Sequence, residues 1–138
     1  MKAFVLDCSV TMGWLFKDQV TPYTEAVLRM LNRAQALTPS IWPLEVINAL
    51  VVAERRGRIN DIHIIRFTNI LKSLSVAVQP NSLKATISDI LPLAREHKLS
   101  SYDAAYLELA MREGLPLATR DDRLKAAAKR IGLTIVAA

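Results

Sequence analysis

The chain alternates short apolar runs with longer segments in which hydrophobic residues recur at helical spacing. The short runs predict β-strands at residues 2–6, 36–38, 75–78, 115–118 and 133–136. The longer segments, most of which are bounded by capping residues, proline or glycine, predict helices at 22–35, 43–56, 61–73, 81–98, 101–113 and 122–131. Pro92 lies inside the predicted 81–98 helix, so a kink or break is expected near Leu91.

This alternation favours an α/β domain with a parallel sheet covered by helices on both faces. The apolar runs are too few for an eight-stranded barrel. With 138 residues, of which 51% are hydrophobic and 22% charged, the chain can fill one core, and we expect a single domain over residues 1–138. The apolar segments fall far short of the roughly 20 residues of a membrane-spanning helix. We therefore expect a soluble, unprocessed protein.

Four acidic residues lie where a predicted strand ends or a predicted helix begins: Asp7, Glu45, Asp103 and Asp121. Ligand sites of open α/β sheets lie beyond the carboxyl ends of the strands, and helix N-termini point toward the same edge. Folding can therefore collect these acids although they are far apart in sequence. Asn48 shares a helix face with Glu45, and the two would form a polar notch on an otherwise apolar helix.

The first two acids also have structural explanations. Asp7, or Ser9 two residues later, can accept main-chain N–H bonds in a strand-to-helix turn. Ser9 can also orient Asp7 or bind a metal-bound water. Glu45 lies in a first helical turn, where the helix dipole stabilises an acid by roughly 0.3–1 kcal/mol.

The other two acids can act as helix caps. Asp103 follows Ser100 at the spacing of a capping box. Either Asp121 or the adjacent Asp122 is expected to be the N-cap of the last helix. Thr119 and Asp121 lie on the same side if the chain stays extended, which makes Asp121 the better candidate for the site.

Bringing four carboxylates together requires a cation. Two carboxylates about 6 Å apart repel by roughly 3 kcal/mol at an effective dielectric constant of about 20. Hard oxygen ligands select Mg²⁺ or Mn²⁺ over zinc. The nitrogen donors His63 and His97 have no paired spacing and are interpreted as surface or packing residues, and Cys8 as a small buried side chain.

The net charge of +5 makes a polyanion a natural partner. Helix C-termini attract cations in any case, so grouped arginines do not prove such a partner. The candidate phosphate contacts are Arg55, Arg56, Arg58, Arg120 and Arg123. Cys8, the single cysteine, rules out an internal disulfide and fits a cytoplasmic location.

Four segments together resemble the PIN-domain ribonucleases, and most closely the VapC-type toxins of toxin–antitoxin pairs. They are residues 6–10 (LDCSV), 43–50 (PLEVINAL), 101–110 (SYDAAYLELA) and 118–124 (ATRDDRL). The resemblance implies a Rossmann-like sheet of five strands in the order 3-2-1-4-5. It also implies an endoribonuclease dependent on Mg²⁺ or Mn²⁺, a homodimer, and inhibition by a small cognate antitoxin.

Carried over by position, the resemblance makes Asp7, Glu45, Asp103 and Asp121 the metal-binding acidic quartet of the active site. Ser9, Asn48 and Thr119 become supporting polar groups, and Asp122 remains an alternative fourth acid. Cys8 departs from the small residue that is usual at its position.

Two other functions fit parts of the sequence. A PIN-like module with an idle acidic pocket could bind RNA or an antitoxin peptide without cleaving anything. If Trp14, Leu15 and Phe16 are exposed, they would offer a docking patch for a partner helix. This holds for the binding module and for a toxin alike. A phosphatase that forms an aspartyl phosphate on Asp7 is disfavoured, because Ser9 stands where a second Asp is expected and no lysine follows at a suitable place.

Overall fold

The computed structural model describes residues 1–137. Its strands are β1 (Ala3–Leu6), β2 (Gln35–Pro39), β3 (Val76–Gln79) and β4 (Leu117–Ala118). Its helices are α1 (Cys8–Leu15), α2 (Pro22–Met30), α3 (Trp42–Arg55), α4 (Asp61–Ser73), α5 (Leu83–Ala85), α6 (Leu91–His97), α7 (Ser101–Glu113) and α8 (Asp122–Arg130). A 3-10 turn spans Lys17–Gln19, and a π-helical segment spans Thr86–Ile90.

The strands form one parallel sheet in the order β3-β2-β1-β4. The predicted order is correct, but the predicted fifth strand at 133–136 is wrong, because this segment makes only an isolated bridge between Leu117 and Ile135. β4 has two residues, and Pro116 before it has no N–H to extend the pairing. The bridge therefore remains a single pair rather than a strand.

Right-handed crossovers in this strand order place α1–α4 on one face of the sheet and α5–α8 on the other. α1 packs against α2 and α3, whereas α7 contacts β1, β2 and β4 as well as α8. Phe4, Val5 and Leu6 of β1 are fully buried at the centre. The switch between the two crossover directions lies between β1 and β4, where an open α/β sheet forms its crevice.

Helix α1 has no counterpart among the predicted elements. Val10, Thr11, Met12, Gly13 and Leu15 are all buried. Because nearly every side of the helix is enclosed, it lacks the apolar stripe by which a surface helix is recognised. The predicted 22–35 helix ends at Met30, since Gln35 begins β2.

The predicted 81–98 helix is interrupted just before Pro92, as expected from the proline. The π-helical segment lies just before Leu91, whose N–H donates to the carbonyl of Thr86. Pro92 has no N–H and its ring crowds the preceding turn, so the wider hydrogen-bonding pattern accommodates it. Among residues 1–137, no helix combines the length and the apolar character needed to cross a membrane.

Candidate active site

Asp7 is the first residue after β1, and its side chain is buried. Its Oδ2 atom accepts hydrogen bonds from the hydroxyl of Ser9 at 2.6 Å and from the hydroxyl of Thr119 at 2.7 Å. Ser9 belongs to α1, whereas Thr119 follows β4. The carboxylate is therefore held from both sides of the crevice.

Both hydroxyls are themselves fixed by main-chain groups of the loop after β4. The N–H of Arg120 donates to Ser9 Oγ at 3.0 Å, and the N–H of Asp121 donates to Thr119 Oγ1 at 3.0 Å. Each hydroxyl thus accepts one hydrogen bond and donates its proton to Asp7. This network stabilises one orientation of the carboxylate and leaves Asp7 Oδ1 without a side-chain partner among the described residues.

Asp121 is the N-cap of α8. Its Oδ1 accepts a hydrogen bond from the N–H of Leu124 at 3.0 Å. Asp122 is the first residue of the helix and is exposed to solvent. The cap position therefore belongs to Asp121, and its charge also acts on Asp7 and Asp103.

Glu45 reaches the crevice from the first turn of α3. The indole N–H of Trp42, one helical turn earlier, donates to the buried hydroxyl of Thr11 in α1 at 3.0 Å. The carboxylate accepts a short hydrogen bond on Oε1 from the hydroxyl of Tyr106 in α7. The position of Glu45 is thus determined by α3, which carries it, and by α7, which donates the hydrogen bond from the other face of the sheet.

Asp103 lies in the first turn of α7 and is half-buried. Its N–H donates to the hydroxyl of Ser100, the N-cap, at 3.1 Å. The positive charge of Arg123, which is exposed on α8, acts on its carboxylate. Asp103 and Arg123 therefore border the same crevice.

The four acids, hereafter the acidic site (Asp7, Glu45, Asp103 and Asp121), are electrostatically coupled. Burial raises the pKa of Asp7 above its ordinary value, and hydrogen bonds from Ser9 and Thr119 oppose this rise. The charge of Asp121 raises the pKa of Asp7 further. Asp7 therefore binds a proton more readily in the folded protein than an ordinary Asp does.

Burial also raises the pKa values of Glu45 and Asp103. The hydrogen bond from Tyr106 opposes the rise at Glu45, while the charges of Asp7 and Asp103 add to it. At Asp103 the charges of Asp7 and Asp121 act in the same direction as burial. An added cation near these carboxylates would relieve their mutual repulsion.

The donor chemistry of the acidic site fits a hard divalent cation, since all four side chains offer carboxylate oxygens. Within residues 1–137, however, no three His, Cys, Asp or Glu side chains converge closely enough to hold one ion. Glu45 and Asp103 are only half-buried, so their side chains have room to rotate. Asp7, which is held by two hydroxyls, is the fixed member of the set.

The predicted cations have different environments. Arg120 donates to the main-chain oxygens of Gln19 at 2.9 Å and Ser9 at 3.4 Å, so it braces the loop. Arg58 forms an exposed ion pair of 2.8 Å with Asp18. Arg56 is exposed on the rim of a cleft of about 270 Å³ between α1 and α3. The same cleft is lined by Arg58 and Asn48, and Arg55 is exposed nearby on α3.

Several other predicted residues lie outside the acidic site. Asn48 is exposed and makes no hydrogen bond with Glu45 among the described contacts. His63 Nδ1 accepts the N–H of Asn60 as part of a helix cap. His97 Nδ1 lies 3.4 Å from Nε of Arg130.

Cys8 is only partly buried, and burial and the charges of Glu45 and Asp7 raise the pKa of its thiol. The predicted exposed patch at residues 14–16 is wrong, because Leu15 is buried and Trp14 and Phe16 are half-buried against the core. The indole N–H of Trp14 donates to the carbonyl of Thr24.

Tyr106 is the site residue that sequence reasoning missed. The sequence marks it only as an aromatic neighbour of Asp103, three residues away on α7. Residues at this spacing share a helix face. That spacing is the one signal by which a second polar group beside Asp103 could have been found.

A parallel α/β sheet with coupled carboxylates at its switch point defines a Rossmann-like domain with an acidic crevice. The sequence matches the PIN domain over residues 4–130, and the chain therefore belongs to the PIN domain family. PIN domains are generally nucleases that use a divalent metal, which places the chain among the hydrolases.

Solved structures share this fold at low sequence identity. A protein from Pyrobaculum aerophilum is 22% identical with a TM-score of 0.69, over 91% of this chain and 84% of that one. A toxin–antitoxin complex from Klebsiella pneumoniae is 19% identical with a TM-score of 0.60, over 86% of each chain. FitAcB from Neisseria gonorrhoeae is 17% identical with a TM-score of 0.66, over 97% of this chain and 96% of that one. A search of curated protein sequences found no significant match.

Proposed function

We propose that this chain is an endoribonuclease that hydrolyses RNA phosphodiester bonds at the acidic site with Mg²⁺ or Mn²⁺ as cofactor. The observation that carries the proposal is the coupling of Asp7 to Glu45, Asp103 and Asp121, whose charges act on one another across the switch point of the sheet. Maintaining such mutual repulsion costs stability, which a bound divalent cation would offset.

The residues of the site divide the work of binding and positioning. Asp7, Glu45, Asp103 and Asp121 would hold a divalent ion, and such an ion would supply an activated water and neutralise charge on the phosphate. Ser9 and Thr119 keep Asp7 in one orientation. Arg123, exposed beside Asp103, can contact a phosphate of the incoming strand.

The products should carry a 5′-phosphate and a 3′-hydroxyl, because attack by water does not use the ribose 2′-hydroxyl. In the part of the chain that the structure describes, neither histidine lies at the acidic site to take a proton from that hydroxyl. A 2′,3′-cyclic phosphate product would contradict the proposed reaction.

Cleavage of an end-labelled RNA pool by the purified protein tests the proposal. Cleavage should require Mg²⁺ or Mn²⁺, stop with EDTA, and be lost in Asp7→Asn, which keeps the size of the side chain. Thermal unfolding of each protein confirms that it is folded. Failure of the folded, metal-supplied wild type to cut any RNA in the pool would contradict a general endoribonuclease.

We further propose that the chain is the cytoplasmic toxin of a toxin–antitoxin pair, inhibited by a small cognate antitoxin and assembled as a homodimer. The VapC-like segments support this, as does the fold shared with a toxin–antitoxin complex from Klebsiella pneumoniae. Induced expression of the wild type should arrest growth, whereas Asp7→Asn should not. Sedimentation should give twice the chain mass of 15.4 kDa.

An idle PIN-fold module that binds RNA or an antitoxin peptide is the second candidate. It is favoured by one observation: no three potential ligands among residues 1–137 converge on one ion. Tight, salt-dependent RNA binding without cleavage, by a folded protein saturated with Mn²⁺, would select this function over the nuclease.

A further inference from the structure

We infer that Tyr106 is a positioning residue, which holds the carboxylate of Glu45 toward the acidic site through its hydroxyl. The inference rests on the proposed function, because it gives Glu45 a role in holding the divalent ion. Tyr106 would act through Glu45 and touch neither the ion nor the RNA.

The first support is the contact itself. Tyr106 is fully buried, and its hydroxyl donates to Glu45 Oε1 from 61 residues away in sequence. No other hydrogen bond of this hydroxyl is found among the described residues. The second oxygen of Glu45 has no hydrogen-bond partner in that part of the chain, so it is free to bind a ligand.

The second support is the surroundings of Glu45. It is half-buried in the first turn of α3, between Leu44, which is 67% exposed, and Val46, which is buried. A glutamate at such an edge has several accessible rotamers, some directed into solvent. The hydroxyl of Tyr106 is the one hydrogen-bond donor found for its carboxylate among residues 1–137, and it selects the rotamers directed inward.

The third support is the rigidity of the donor. The segment from Ala104 to Ala110 of α7 is buried throughout, which fixes the tyrosine ring. Tyr106 lies one turn after Asp103 on the same helix, so α7 contributes one acid and places another. Trp42, bonded to Thr11, anchors the start of α3 on the other side.

Tyr106 serves as a donor and not as a proton-transfer group. Burial, the hydrogen bond to Glu45 and the charges of Glu45 and Asp7 raise the pKa of its phenol far above its ordinary value. This direction agrees with the geometry, in which the phenol is the donor and Glu45 the acceptor.

Mn²⁺ binding, followed by electron paramagnetic resonance, tests the inference without relying on activity. Tyr106→Phe should raise the Mn²⁺ dissociation constant roughly 10- to 100-fold, the usual effect of losing an outer-shell partner. The cleavage rate should fall while the KM for RNA stays near the wild-type value. Thr68→Val is the control, because its hydroxyl donates to main-chain oxygens of Ile64 and Ile65 within α4 and makes no hydrogen bond to the acidic site.

A double-mutant cycle separates positioning from general damage. In a Glu45→Gln background, Tyr106→Phe should cause no further loss of Mn²⁺ affinity. An equal loss with and without Glu45 would overturn the inference, and so would an unchanged Mn²⁺ affinity in folded Tyr106→Phe.

If the Tyr106→Phe protein does not fold, a measurement on the wild type still tests the inference. With ¹³C-labelled tyrosine, Mg²⁺ titration should shift the Tyr106 ring signal with the midpoint of metal binding. No shift at saturating Mg²⁺ would overturn the inference. If the Mn²⁺ affinity of the wild type depends on Tyr106 and Glu45 but the protein cleaves no RNA, only the proposed function is overturned. A wild type that binds no Mn²⁺ overturns both.

Discussion

Asp7 and Thr119 are 112 residues apart in sequence, yet the hydroxyl of Thr119 donates to Asp7 Oδ2 at 2.7 Å. The contact joins the ends of β1 and β4, the two strands that flank the switch point. Thr119 is fully buried and also accepts the N–H of Asp121. One hydroxyl thus links two members of the acidic site.

Replacing Thr119 should weaken the site with little change in shape. Thr119→Val removes the hydroxyl but keeps the branched side chain, and it should lower metal affinity and cleavage roughly 10- to 100-fold. Thr119→Ser keeps the donor and should retain most of the activity. Mn²⁺ titration with parallel cleavage assays would measure both, and equal losses in the two variants would refute the role of the hydroxyl.

Asparagine substitutions should identify the fourth acid. Asp121→Asn keeps a side chain that caps helices as well as Asp does, so α8 should stay intact while cleavage falls at least about tenfold. Asp122→Asn makes the same replacement at the adjacent residue, which is exposed, and should leave cleavage near the wild-type rate. The reverse order of activities would transfer the role to Asp122.

The stability of the metal-free protein should depend on pH with a defined sign. The pKa of Asp7 is raised above its ordinary 3.8 in the folded state. Between these two pKa values the folded state binds more protons than the unfolded one, so the free energy of unfolding falls as pH rises through this window. Glu45 and Asp103 act in the same direction. Asp7→Asn should flatten this decline in denaturant titrations with EDTA, and an unchanged slope would contradict the burial of a costly charge at Asp7.

Gly13→Ala should destabilise the fold although alanine favours helices. Helix propensity alone would stabilise the variant by about 1 kcal/mol. A Cβ at this position, however, would overlap Cγ2 of Thr24, where α1 packs on α2. We expect a net loss of roughly 1–3 kcal/mol in urea unfolding. In a Thr24→Gly background, which loses the α2 capping box in both proteins compared, Gly13→Ala should cost less than it does in the wild type if the clash is the cause.

Arg123 should contribute to RNA affinity through charge. Arg123→Gln in an Asp7→Asn background should weaken binding of unrelated RNA sequences to a similar extent and reduce the slope of log affinity against log salt by about 1. Arg33→Gln removes an exposed charge near the opposite, amino-terminal edge of the sheet and should leave the slope unchanged. Identical slopes for both variants would exclude a phosphate contact at Arg123.

The sequence was sufficient to predict where the acids lie along the fold. The 101–113 helix has the predicted bounds, because Ser100 caps it and Gly114 ends it with a positive φ of 63°. Asp103 therefore falls in a first turn as predicted. Asp7 follows the apolar run of β1 for the same local reason, since a buried parallel strand reads as a continuous hydrophobic segment.

Contacts between distant elements could not be predicted in this way. The bond from Tyr106 to Glu45 depends on how closely α7 approaches α3, which no local pattern encodes. The 133–136 run has the composition of a strand but lacks a neighbour long enough to pair with. Local propensity predicts a candidate element, and the partner decides whether it forms.

The contact between Asp7 and Thr119 also determines when, during synthesis of the chain, the acidic site can form. During synthesis at roughly 5–20 residues per second, Asp7 and Glu45 leave the ribosome long before β4 and the start of α8 exist. Until the ribosome has passed residue 121, the nascent chain has neither the hydroxyl that fixes Asp7 nor the last acid. Any activity of the site therefore begins only after residue 121 has been synthesised, when most of the described core is available to enclose it.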